Sequence, residues 1–206
     1  MEHYVLPNSG HIRNPAASKL GMWLFLFTEL LLFGGLFIVY MVYRALNPDA
    51  FLIASYELNI AMGTINTVVL LTSSLTIAMS ISALQKGKKG LALYLMLATI
   101  AFSLIFMVIK FFEWNAKIHH GLFPGMEQYQ ALPHGESLFF FLYFFMTGLH
   151  ALHVIIGAIF IGIVVVKVGT DEVTGDKVTL LENSGLYWHL VDIIWIYLFP
   201  LFYLIH

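Results

Sequence analysis

The sequence contains no cysteine and few charged residues. Without cysteine, disulfides, iron–sulfur clusters, thiolate metal sites and thiol nucleophiles are excluded. Only 11% of the 206 residues are charged and 60% are hydrophobic, whereas a soluble domain carries about 25% charged residues. The formal net charge is −2 and no basic run is present, so nucleic-acid binding has no support. The composition therefore indicates an integral membrane protein.

Five long apolar stretches make up most of the chain. Each can cross the bilayer hydrocarbon, which takes roughly 20 residues of α-helix. The links between them are short and carry most of the charges, so a separate soluble domain has no room. The sequence predicts an all-α polytopic protein with one membrane domain over residues 1–206, and it lacks the internal repeat of inverted-repeat transporters. The predicted helices cover approximately residues 20–43, 58–84, 91–112, 138–166 and 184–205.

Lysine and arginine are divided unevenly between the two predicted membrane sides. Seven of the ten fall on the side of the N-terminus and three on the other. The positive-inside rule then predicts a cytoplasmic N-terminus and an outside C-terminus at His206. The seven are Arg13, Lys19, Lys86, Lys88, Lys89, Lys167 and Lys177, and the three are Arg44, Lys110 and Lys117.

Two acidic residues, Glu29 and Asp192, lie inside predicted helices at similar depths, roughly 13 and 12 Å from the cytoplasmic end. An isolated carboxylate in the hydrocarbon costs roughly 2.5 to 3.5 kcal/mol on insertion scales, so each needs a partner. If the two are neighbours, repulsion and burial would keep at least one protonated and able to donate a hydrogen bond. The competing interpretation for Glu29 is a protonated carboxyl bonded to nearby backbone or a hydroxyl.

Three histidines lie in the fourth and fifth predicted helices. GLHALHVIIG carries His150 and His153 at i, i+3 spacing, and YWHLVDIIWIYLFPLFY carries His189 three residues before Asp192. A zinc site would join the first two histidines to His189 or Asp192. Haem ligation would need His150 or His153 to face His189 across the macrocycle. Hydrogen bonding between packed helices is the favoured interpretation, because polar residues commonly tie membrane helices together.

Further polar groups lie on the third and second predicted helices. The segment IKFFEW, followed by Lys117, puts Lys110, Glu113 and Lys117 on one stripe. This stripe predicts an ion pair near the membrane surface, with Trp114 as an interfacial anchor, in preference to a proton pathway. The segment INTVVLLTSS supplies small polar residues suited to interhelical hydrogen bonds. They are Asn66, Thr67, Thr72, Ser73 and Ser74.

Taken in chain order, these segments resemble subunit III of the haem–copper terminal oxidases, the group that includes cytochrome c oxidase and the bacterial quinol oxidases. The resemblance runs from about Leu20 to Leu204. GMWLFLFTELLLFGG is similar to the family helix with a buried glutamate, here Glu29, and INTVVLLTSS to the Asn-Thr and paired-serine segment. IKFFEW keeps the glutamate, Glu113, and has Lys110 where many relatives have glutamine. GLHALHVIIG and YWHLVDIIWIYLF resemble the two most specific signatures.

The resemblance implies the five-helix form of this subunit, because the first span matches the third helix of longer members. It implies no catalytic residue, haem, copper or other metal in this chain, with the redox centres in subunits I and II of a complex that reduces O2 to water and pumps protons. The implied partners are subunit I as the main contact, subunit II and other subunits, and membrane lipid. Lys167 matches a basic residue near the phosphate of a structural phospholipid.

The implied role is to support assembly, lipid binding and sustained turnover beside subunit I. A bacterial inner membrane suits the five-helix length. An accessory protein of nitric oxide reductases shares the five-helix pattern and is the alternative. A haem-binding membrane anchor and a transporter are rivals from other classes.

Overall fold

The computed structural model describes residues 15–174 and 178–205. Arg13, Lys177 and His206, used for the orientation prediction, lie outside this part. Five helices of the described part are long and apolar enough to cross a membrane, which confirms the predicted all-α, multi-pass architecture. The helices are α1 (Pro15–Leu46), α2 (Pro48–Ser55), α3 (Ile60–Gln85), α4 (Lys89–His119), α5 (Glu127–Gln130), α6 (His134–Gly169) and α7 (Thr179–Tyr203), of which α2 and α5 are short.

The helix boundaries differ from the predicted spans because helical hydrogen bonding continues beyond the apolar residues. The largest difference is in α4, which runs to His119 instead of residue 112. A segment predicted as a link is therefore helical and carries Glu113 and Lys117 on the helix. In contrast, α3 starts two residues later than predicted, because the Asn59 side chain caps it by accepting a hydrogen bond from the Met62 amide at 3.2 Å.

The four helices α3, α4, α6 and α7 form the core of the bundle. Helix α4 packs on α3 and α6, and α7 packs on α3, α6 and α1. Helix α1 lies at the edge, with its main contact to α7, and most of its large apolar side chains are exposed. The molecule is therefore a four-helix core with a fifth spanning helix on one flank.

Two glycines allow α7 to approach its neighbours closely. A Cβ atom on Gly157 of α6 would lie 2.8 Å from the ring of Trp188. A Cβ atom on Gly185 of α7 would lie 2.9 Å from Ile81 on α3. Small residues at such contacts let membrane helices pack backbone against side chain, and Trp188 is consequently fully buried.

Candidate functional site

A buried ion pair lies where α4, α6 and α7 meet. Lys110 Nζ is 3.0 Å from Glu113 Oε2, and the two side chains are 1% and 2% exposed. The hydroxyls of Tyr143 and Tyr203 both donate to Glu113 Oε1, at 2.9 and 2.5 Å. Lys110 also donates to the Tyr203 hydroxyl at 2.7 Å. The carboxylate thus has a cation and two O–H donors, which offsets the cost of burying it.

These four residues, Lys110, Glu113, Tyr143 and Tyr203, are called the Glu113 cluster below. Aromatic rings surround its ammonium group. Lys110 Nζ lies 4.8 Å from the centre of the Trp195 ring, and 5.2 and 5.3 Å from those of Tyr143 and Tyr203. Such contacts stabilise a desolvated cation. The cluster therefore satisfies both of its charges internally.

The predicted pairing of Lys110 with Glu113 is present, and the pair is buried inside the bundle. Tyrosines from α6 and α7 cover it, and sequence spacing on α4 does not reveal those neighbours. Lys117 donates instead to the Glu57 carbonyl at 2.7 Å. Trp114 is half-buried beside Phe144, and its indole N–H donates no well-formed hydrogen bond within the described residues.

A second polar contact joins the edge helix α1 to α6. His153 Nε2 is 2.9 Å from Glu29 Oε2, and His153 Nδ1 is 2.7 Å from the Leu149 carbonyl. A carbonyl only accepts hydrogen bonds, so Nδ1 carries a proton. The remaining proton lies between Nε2 and the carboxyl group, on one or the other. In both forms the Glu29–His153 pair has no net charge, which suits a site inside the membrane.

A polar stripe on α3 binds α7 at three levels. The indole N–H of Trp195 donates to Thr67 Oγ1 at 3.0 Å, and that of Trp188 donates to Ser73 Oγ at 3.0 Å. The hydroxyl of Ser74 is 2.6 Å from His189 Nδ1. Three of the five residues predicted for interhelical hydrogen bonds thus form them, whereas Thr72 donates to the Val68 carbonyl of its own helix.

Asp192 is buried beside this stripe. The Ser74 hydroxyl is close enough to interact with its carboxyl group, but the well-formed hydrogen bond of Ser74 goes to His189. Neither carboxyl oxygen of Asp192 has a hydrogen-bond partner within the described residues. Asp192 is therefore a buried acid without a full set of partners.

Glu29 and Asp192 lie on different sides of α7. The Tyr187 hydroxyl donates to the His153 carbonyl at 3.3 Å, on the side of the Glu29–His153 pair. Asp192 follows Tyr187 by five residues, about 140° around the helix, and faces Ser74 of α3. Equal depth therefore does not bring the two carboxyl groups together, and Glu29 is paired with a histidine instead of a backbone group or a hydroxyl.

The three histidines occupy three separate environments. His150 is fully buried against the rings of Phe106 and Trp195, at centroid distances of 5.6 and 5.2 Å, and neither of its nitrogens has a partner within the described part of the chain. His153 and His189 face α1 and α3, respectively. The three histidines that the zinc and haem hypotheses used therefore contact different neighbours, although His150 and His153 are only one turn apart.

The remaining two predicted residues are Asn66 and Lys167. Asn66 is fully buried, and neither atom of its side-chain amide has a hydrogen-bond partner in the described segments. Lys167 Nζ forms a partly exposed ion pair with Glu172 at 2.8 Å. Across the described residues, no group of three or more His, Asp or Glu side chains could hold a metal ion.

Tyr143 and Tyr203 were not among the predicted site residues. Both lie within otherwise apolar spanning segments, and a buried tyrosine usually finds a partner for its hydroxyl. That rule would have marked them as polar sites. It would not have identified Glu113, which lies 30 and 90 residues away in the chain.

Comparison with known proteins gives matches over nearly the whole chain. The family model described as "Cytochrome c oxidase subunit III" matches residues 12–206. The chain is 29% identical to "Cytochrome c oxidase subunit 3" of Corynebacterium diphtheriae, over 94% of this chain and 91% of that protein. It is 28% identical to "Probable quinol oxidase subunit 3" of Staphylococcus haemolyticus, over 91% and 89%, respectively.

A third relative is longer. The chain is 27% identical to "Heme-copper oxidase subunit I+III" of Aeropyrum pernix, and the match covers 100% of this chain but only 24% of that protein. The name of that relative shows that its remaining length includes another subunit.

Proposed function

The chain belongs to the cytochrome c oxidase subunit III family, and we propose that it packs against subunit I and helps its complex to sustain turnover. Its relatives are named as subunit 3 of cytochrome c oxidases and quinol oxidases, so it is a non-catalytic subunit of a haem–copper oxidase. We propose that the complex reduces O2 to water and pumps protons, with haem and copper in subunits I and II. Residues 1–206 act as one membrane domain.

The fused relative of Aeropyrum pernix supports contact with subunit I. Its name assigns subunits I and III to one protein, so the two parts of that protein are covalently joined. Assembly of the corresponding separate chains side by side would preserve that arrangement. The exposed apolar face of α1 offers surface for a neighbouring helix, for subunit II or another subunit, or for lipid.

The internal polar groups support a packing role. In the Glu113 cluster and the Glu29–His153 pair, each charge or proton is shared with a neighbouring side chain. Such groups hold helices together without presenting a reactive atom to a substrate. A structural phospholipid near Lys167 belongs to the same proposal, with the ammonium group as a point charge for its phosphate.

The proposed location is the bacterial inner membrane, with the N-terminus in the cytoplasm and the C-terminus outside. The excess of lysine and arginine on the side of the N-terminus supports this orientation. The electron donor is either cytochrome c or quinol, since relatives carry both names. Those oxidase names favour an oxidase over the nitric oxide reductase alternative.

Purification of the native complex through a tag on this chain tests the proposal. We expect a haem-containing subunit I to co-purify as the largest partner. A strain without this chain should yield an oxidase with normal haem content whose oxygen consumption declines sooner during turnover, and the restored strain is its control. A nitric oxide reductase as the partner, or a haem absorption band in the chain expressed alone, would contradict the proposal, as would solute flux carried by the isolated chain in liposomes.

A further inference from the structure

A partly polar surface lies along the contact between α3 and α7, on the outside of the bundle. On α7, two isoleucines follow His189 by four and seven residues, so all three share one helix face. On α3, a leucine precedes Ser74 by three residues and an alanine follows it by four. The apolar residues of this surface are exposed and the two polar ones are half-buried. The surface is named here the His189 face, and its residues are Leu71, Ser74, Ala78, His189, Ile193 and Ile196.

His189 presents a ring nitrogen on this face. Its Nδ1 is 2.6 Å from the Ser74 hydroxyl, whereas its Nε2 has no hydrogen bond within the described residues and is accessible at the surface. His189 lies ten residues into α7, roughly 15 Å from the start of a helix long enough to span the membrane. At this depth the lipid hydrocarbon offers no hydrogen-bonding group. Nε2 therefore needs a partner from another protein chain.

The neighbouring Asp192 determines whether Nε2 is a donor. The Ser74 hydroxyl is bonded to His189 Nδ1 and is close enough to interact with the Asp192 carboxyl group. A membrane interior favours an arrangement of the three groups without net charge. If Asp192 holds the proton, it donates to Ser74 and Ser74 donates to Nδ1, which leaves the ring proton on Nε2. If the histidine holds it, both ring nitrogens are protonated, so Nε2 is a donor in either case.

Ser74 and Ala78 allow another helix to come close to this donor. Both residues are small and they are four residues apart on α3. Small residues at this spacing let the backbones of membrane helices approach each other. The exposed side chains of Leu71, Ile193 and Ile196 supply apolar contact on either side. The His189 face thus combines a close approach, apolar rims and one N–H donor.

We propose that the His189 face binds a transmembrane helix of subunit I, and that an oxygen atom of that helix accepts a hydrogen bond from His189 Nε2. This inference deepens the proposed function and rests on it, because it names the surface and the chemistry by which the two subunits join. The fused relative, whose name assigns subunits I and III to one protein, supports subunit I as the owner of the helix.

Two other occupants fit this face less well. A second copy of this chain would meet it through a two-fold symmetric contact, which brings two Nε2–H donors together and leaves both without an acceptor. Acyl chains of lipid would cover the apolar side chains, but they contain no acceptor for the N–H group. Only a helix of a different protein chain can supply an acceptor at this depth.

Two substitutions separate the proposed contact from the bond inside the chain. In His189→Gln, the side-chain amide lies near the position of Nε2 and still donates there. In His189→Asn, the shorter amide lies near the position of Nδ1, so it keeps a partner for Ser74 but offers no donor at the surface. The assay is the fraction of this chain that stays bound to tagged subunit I as detergent is increased. His189→Asn should weaken retention about tenfold, the effect of losing one hydrogen bond between membrane helices, and His189→Gln should retain most of it.

Thr72→Val is the matched control on α3. It removes a hydroxyl whose hydrogen bond goes to the Val68 carbonyl of the same helix, so retention by subunit I should not change. A purely internal role of His189 predicts the opposite order of the two histidine variants, because His189→Asn keeps the bond to Ser74 and His189→Gln does not.

Photo-cross-linking in the assembled complex tests the same contact without altering His189. A benzophenone amino acid in place of Ile193 lies on the His189 face and should cross-link to subunit I on illumination. The same amino acid in place of Leu152, which is exposed on α6 across the bundle, should not.

Three results would overturn the inference. They are equal retention of His189→Asn and His189→Gln, a loss in Thr72→Val as large as that in His189→Asn, and cross-links from position 193 that reach only lipid, a second copy of this chain or a subunit other than I. Co-purification of subunit I with the unmodified chain is measured in the same samples. Its failure would contradict the proposed function, whereas a co-purifying subunit I without a cross-link from position 193 would contradict only this inference.

Discussion

Replacing Lys110 with methionine should destabilise the protein more than replacing Lys110 and Glu113 together. Methionine fills much of the space of the lysine stem but leaves the Glu113 carboxylate without its cation at 3.0 Å. At an effective dielectric constant near 20, that attraction amounts to about 5.5 kcal/mol. Breaking one side of a buried pair costs roughly 3 to 5 kcal/mol, so Lys110→Met should lose stability in that range.

The double variant Lys110→Met, Glu113→Gln removes both charges. The glutamine oxygen can still accept hydrogen bonds from the hydroxyls of Tyr143 and Tyr203, which now donate to Glu113. Replacing a buried ion pair with neutral groups of similar volume is often neutral or stabilising. The double variant should therefore recover most of the loss. The single variant Glu113→Gln should fall between the two, because the aromatic rings around Lys110 retain part of the stabilisation.

The assay is thermal dissociation of the purified complex, followed as the fraction of this chain that remains bound and folded after stepwise heating. Lys86→Met is the matched control, because it makes the same substitution at an exposed position and should change stability by less than about 0.5 kcal/mol. If the double variant loses as much stability as the sum of the two single variants, the charges are not coupled and the interpretation of the Glu113 cluster is wrong.

Three other changes test the remaining contacts. Gly157→Ala should lower the stability of the protein by about 1 to 3 kcal/mol, because the new Cβ would lie 2.8 Å from the Trp188 ring. The loss is measured as a lower dissociation temperature, and an unchanged temperature would contradict this close contact. Glu29→Gln should retain more of the attachment of α1 than Glu29→Leu, because the glutamine amide can donate to or accept from His153 Nε2, which lies 2.9 Å from the Glu29 carboxyl group. Limited proteolysis of α1 measures this, and equal cleavage rates would argue against the pair. Alanine at Glu29 or Asp192 should leave the haem content unchanged and shorten activity under turnover, and loss of haem from the purified complex would contradict a non-catalytic role.

The five membrane spans were predictable because their signal is local. Bilayer thickness requires about 20 apolar residues in each helix, and those residues are contiguous in the chain. The pairing of Lys110 with Glu113 was predictable for the same reason, since residues three apart share a helix face. The short helices α2 and α5 and the extension of α4 to His119 were not, because they depend on packing outside the apolar stretches.

Side-chain partners from different helices were decided by the tertiary structure alone. Glu29 pairs with His153 across 124 residues, and Glu113 receives a hydrogen bond from Tyr203 across 90. Helical periodicity determines which side chains share a face, but it does not determine which helix that face meets. That choice depends on how shapes fit, as where Gly157 admits the ring of Trp188. The sequence by itself thus determined the membrane class, the spans and the family, and the packing of the helices decided that Glu29 and Asp192 have separate surroundings.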